Sequence, residues 1–90
     1  MPTRPRFRAT VAGGKTVASG ELVSRVLQDV GGLLDRGYTI YLRHGDDPFT
    51  VTLRRDPDGG VVIGLPVPVS REPDWLSKVR NVTGHLRGDP

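Results

Sequence analysis

The clearest pattern in the chain lies between Glu21 and Arg36, where Leu22, Val23, Val26, Leu27, Val30, Leu33 and Leu34 recur at helical spacing on one apolar arc. Every charged residue of the stretch falls outside that arc, which predicts an amphipathic helix over residues 20–36. Ser19 is placed to cap its start, Glu21 and Arg25 have the favourable i,i+4 order, and Gly37 stands where a left-handed C-terminal cap belongs. Gly31-Gly32 weakens the interior by about 1 kcal/mol per glycine relative to alanine, which invites a bend or an early end.

Elsewhere the period drops to two. Phe7, Ala9 and Val11 alternate with Arg6, Arg8 and Thr10, predicting a strand over residues 6–11 that Gly13-Gly14 then breaks. The prolines and basic charge before it would also suit a disordered tail. After Gly37, Tyr38, Ile40 and Leu42 alternate with Thr39, Tyr41 and Arg43, and Phe49, Val51 and Leu53 alternate with Thr50, Thr52 and Arg54. Gly45-Asp46-Asp47-Pro48 and Asp56-Pro57-Asp58-Gly59-Gly60 are turn chemistry, and Val61-Val62-Ile63 completes a three-stranded meander.

Leu65-Pro66-Val67-Pro68-Val69 cannot continue as a central strand, because proline has no donor for the ladder, so an extended connector is expected. A last helix beginning near Pro73 carries Trp75, Leu76, Val79, Val82 and Leu86 on one face. The expected fold is α+β: a two-layer domain of order β-α-β-β-β-α, an antiparallel sheet with both helices on one face. Residues 19–90 form that domain, and residues 1–18 form a basic N-terminal segment holding the first strand.

Composition narrows the chemistry. The 90 residues include no cysteine, which excludes disulfides, thiolate zinc sites and thiol nucleophiles and fits a reducing, cytoplasmic setting. No apolar run reaches the roughly 20 residues that span a bilayer, so no membrane association is expected. The charge is uneven. Residues 1–18 hold Arg4, Arg6, Arg8 and Lys15 and no acid, whereas residues 19–90 carry nine basic and ten acidic side chains. Attraction to phosphate must therefore come from the N-terminal segment or from a local patch.

Several motifs weaken on inspection. Residues 9–16 fit a relaxed phosphate-loop pattern, with Ala9 in place of the first glycine and Lys15 to neutralise phosphates. The pattern consumes residues the strand needs, and no apolar strand ending in a magnesium-holding aspartate follows it. A Gly-Gly turn explains the stretch more simply. Asp46-Asp47 and Asp56-x-Asp58-Gly59 resemble pieces of calcium loops, yet the position six residues after Gly59 is Leu65, where a glutamate is required. Turn-forming aspartates are expected there, and no metal or cofactor.

His44 and His85 are the only histidines, hence the only general bases poised near neutral pH. His44 ends a strand and is the one weak catalytic candidate. The order helix, three strands, helix over residues 20–87 is similar to the double-stranded-RNA-binding fold, including its variant in the HicA-type ribonuclease toxins. Gly37-Tyr38 resembles the Gly-aromatic pair that opens the first strand of those toxins, and the resemblance implies His44 as counterpart of their catalytic histidine. The chain departs from that pattern. His44 precedes Gly45 instead of following a Gly-Ser pair, Asp46 and Asp47 surround it with negative charge, and the last helix opens on Arg71-Glu72-Pro73-Asp74 in place of a basic cluster. The likeness is one of topology, and topology does not carry function.

With both helices on one side, the opposite sheet face becomes the place to look for function. It collects Tyr41, Arg43, Thr50, Thr52 and Arg54 as partner-binding residues. The expected function is a non-enzymatic interaction module acting through this face or a sheet edge, with a protein partner or by self-association. The alternative is nucleic-acid binding, with Arg4, Arg6 and Arg8 joining Tyr41, Arg43 and Arg54.

Overall fold

Phe7–Thr10 forms the first strand, β1, and the alternation predicted there holds: Phe7 and Ala9 are buried while Arg8 is exposed. The structure, a computed structural model, describes residues 5–66 and 72–86. Gly13 and Gly14 then reverse the chain at φ of 98° and 89°, a conformation glycine adopts without steric cost. Across the turn, the Val11 N–H donates to the Lys15 carbonyl and the Gly14 N–H to the Val11 carbonyl. The returning segment Thr16–Gly20 is a second strand, β2, antiparallel to β1 with a bulge where the partners of Ala9 and Thr10 skip from Ala18 to Thr16.

This hairpin corrects the expected start of the helix. Ser19 pairs with Arg8 in the sheet and caps nothing; the helix, α1, is Val23–Asp35, with Leu22 at its N-cap position and no side-chain cap. Pairing with β1 engages four residues of Thr16–Gly20 in the sheet, whereas capping would satisfy one or two backbone groups. Glu21 is left in the bend before α1, so it makes no i,i+4 pair with Arg25 on the helix. The element order is therefore β-β-α-β-β-β-α, one strand more than the periodicity revealed.

The buried arc of α1 is Val23, Val26, Leu27, Val30 and Leu34, and the helix runs through Gly31-Gly32 without stopping. Gly37, at φ 93°, ends it: the Tyr38 N–H reaches the Leu33 carbonyl and the Gly37 N–H the Leu34 carbonyl, both at 3.0 Å. A Cβ added at Gly32 would meet nothing within 4 Å. Gly32→Ala should therefore stabilise the fold by about 1 kcal/mol, raising the melting temperature by roughly 4–8 °C for a domain of this size. Calorimetry checks this, and an unchanged or lowered melting temperature counts against a continuous α1.

Ile40–His44, Val51–Arg55 and Val61–Gly64 are β3, β4 and β5, and the antiparallel sheet has the order β2-β1-β3-β4-β5. The basic segment thus supplies an inner strand, with β2 on one side and β3 on the other. The last helix, α2, is Trp75–Leu86, and the Leu76 N–H donates to the Pro73 carbonyl at its start. Phe7, Ala9, Ile40, Leu42, Val51, Leu53 and Val61 from the sheet join the buried face of α1 and Trp75, Leu76 and Val79 of α2 in one core. Both helices cover the same side. Among the described residues no helix is long and apolar enough to cross a membrane. Residues 67–69 of the expected connector and Arg4 lie outside the described residues.

Candidate sheet-face interface

Strand register decides which polar side chains meet on the uncovered face. Because Phe7 pairs with His44, Arg8 stands directly beside Arg43 and Thr10 beside Tyr41. Ser19 flanks Arg8 on its other side. One step toward the strand end, the Gly45 N–H donates to the Arg6 carbonyl at 2.9 Å, which fixes Arg6 against the β3–β4 turn. Pro5, Arg6, Arg8, Ser19, Arg43 and Asp46 line a shallow groove there. Tyr41 continues across the sheet to Thr52 and Gly64, and Arg54, beside Val62, lies one step beyond Thr52.

Of the residues predicted for this face, Tyr41, Arg43, Thr52 and Arg54 are in β3 and β4 as expected. Thr50 precedes β4, and its hydroxyl donates to the Pro48 carbonyl at 3.1 Å, so it belongs to the turn more than to the face. Ser19 and Asp46 are neighbours that local pattern did not bring to this face. The ion pairs among the described residues lie on the helical side: Arg55 with Asp35 at 2.8 Å and Arg80 with Glu72 at 2.8 Å. Among the described residues, Arg6, Arg8, Arg43 and Arg54 have no such partner. Arg43 donates a 3.4 Å hydrogen bond from Nε to the Asp47 carbonyl.

The β3–β4 turn is held from the other side by Asp47. Its Oδ1 accepts the Phe49 N–H at 2.9 Å, and its Oδ2 accepts the Trp75 indole N–H at 3.0 Å. Those bonds, first from Phe49 and then from Trp75, hold the carboxyl below its usual range. The turn-forming role expected of this aspartate is what the structure gives it, and the same holds for Asp56, whose carbonyl accepts the Gly59 N–H. No group of three metal-ligating side chains occurs among the described residues.

His44 sits under the turn, its ring 4.4 Å from that of Phe7 and 5.8 Å from that of Trp75. Burial, then the nearby Lys78 ammonium, push its pKa below the usual 6.5, against a smaller opposing pull from Asp47. The folded protein therefore holds His44 neutral more firmly than the unfolded chain does. Stability from this residue is complete above about pH 6.5 and is lost as pH falls toward the lowered folded value. Melting temperature should decline as pH drops from neutral to about 5, and His44→Phe should flatten that decline. A variant with an unaltered profile would contradict this reading; Asp47, whose unfolded value is 3.8, acts only at lower pH.

The Gly13-Gly14 turn joins two strands, so Lys15 does not open a helix as a phosphate loop would require. The arrangement around residues 20–86 also differs from the helix, three strands, helix likeness, since two further strands precede α1 and one of them is internal to the sheet. No protein family, curated protein or solved structure matches this chain.

Proposed function

We propose that the protein is a non-enzymatic interaction module that receives an anionic partner on its open sheet face. The observation that carries this reading is the cross-strand pair Arg8 and Arg43, with Arg6 beside it and, among the described residues, no carboxylate in an ion pair with any of the three. Like charges directly opposite on neighbouring strands are destabilising. A bound anion would turn that repulsion into paired, charge-assisted hydrogen bonds. The sheet edges suit a partner less well: β2 is bulged, and β5 runs into Leu65-Pro66, both of which oppose strand addition.

The test uses heparin as a generic polyanion and the full chain. Arg8→Gln/Arg43→Gln should weaken binding by roughly ten- to a hundredfold at low salt, since two charged contacts are lost. Arg25→Gln/Arg36→Gln removes the same charge from the helical side and should leave binding nearly intact. The first variant should also melt no lower than wild type, because the repulsion is relieved. Equal loss in both variants would reduce the effect to net charge and remove the support for this face.

A further inference from the structure

We infer that the anionic partner is a single-stranded nucleic acid, with its phosphates over the arginines at both ends of the face and a base stacked on Tyr41 between them. This rests on the open-face reading above and adds the chemical class and its register. Along the strand direction the face runs from cation to aromatic ring to cation. Arg43, paired with Arg8, is two residues from Tyr41; Arg54 is two residues from Thr52, the cross-strand partner of Tyr41, in the opposite direction. At the usual strand rise each step is about 7 Å, within reach of one nucleotide. Phosphate, base and phosphate of a strand laid along the sheet would meet these three stations in turn.

The neighbours of Tyr41 favour a flat ligand. Thr10 stands on one side, and Thr52 followed by Gly64 on the other, so the ring is bordered by small side chains and then by none. An acidic protein surface would use the arginines but has no need of an aromatic platform between them. A duplex offers phosphates but keeps its bases stacked inside, where a sheet face cannot reach them. An unpaired strand uses both features, because every base has a face that stacks on an aromatic ring.

The test is fluorescence anisotropy of the full chain with a labelled single-stranded oligonucleotide of about 12 residues, the matching duplex and polyglutamate. The single strand should bind at least about tenfold tighter than either competitor. Tyr41→Phe should keep that affinity, and Tyr41→Thr, which matches the flanking threonines in strand preference, should lose about tenfold or more. The slope of log affinity against log salt should fall by about 0.7 for each of Arg8→Gln, Arg43→Gln and Arg54→Gln. Circular dichroism establishes that each variant is folded. Duplex or polyglutamate binding as tight as the single strand, or full affinity in folded Tyr41→Thr, overturns this inference and leaves the anionic-partner reading standing. Failure to bind any of the three overturns both.

Discussion

Phe7→Ala is expected to lower the unfolding free energy by about 3–5 kcal/mol, a large share of the 5–15 kcal/mol typical of a small domain. Phe7 is 1% exposed and belongs to an inner strand of the sheet. Its ring meets His44 at 4.4 Å and the edge of Trp75 at 6.0 Å, so truncation opens a void where β1, β3 and α2 converge. Urea denaturation reads the effect as a lowered midpoint with a similar slope. The same variant would melt like wild type if the basic N-terminal segment were a loosely attached tail, and that result would contradict the strand order.

Trp75→Ala is expected to cost a comparable 3–5 kcal/mol. Trp75 is the only tryptophan in the chain, and it is 6% exposed. It packs edge-on to both Phe7 and Phe49 and ties the β3–β4 turn to α2 through Asp47. Trp75→Phe retains most of the ring but deletes the indole donor; Asp47 keeps the Phe49 N–H and access to water, so the loss should be nearer 1 kcal/mol. Thermal unfolding followed by circular dichroism separates the two variants. Equal losses would mean that the hydrogen bond, and not the packing, holds the turn against the helix.

Much of this architecture was legible in residue spacing. The arc of α1, the Gly37 cap and the β3–β4–β5 meander follow from local periodicity and turn chemistry, which act over a few residues. β2 was hidden because Thr-Val-Ala-Ser-Gly is short, ends in three small residues and alternates weakly; its strand character comes from pairing with β1. Ser19 reads equally well as a helix cap until that pairing is known. The bond between Trp75 and Asp47 spans 28 positions and has no local signature.

The candidate site divides in the same way. Alternation alone assigned Tyr41, Arg43, Thr52 and Arg54 to the uncovered face, because two residues on the same side of a strand are always two apart. That Arg8 adjoins Arg43 depends on β1 inserting beside β3, a long-range choice that the spacing of either strand does not encode. Pairing β1 directly with β3 is what the structure adds to the functional reading, since it sets Arg8 beside Arg43.

The open face as binding surface is tested most directly by an amide-resolved NMR titration of the full chain with the single-stranded oligonucleotide. Shifts should concentrate at Arg8, Thr10, Tyr41, Arg43, Thr52 and Arg54 and leave the exposed side of α1 unmoved. Shifts centred on α1 or α2, with the face silent, would contradict the account.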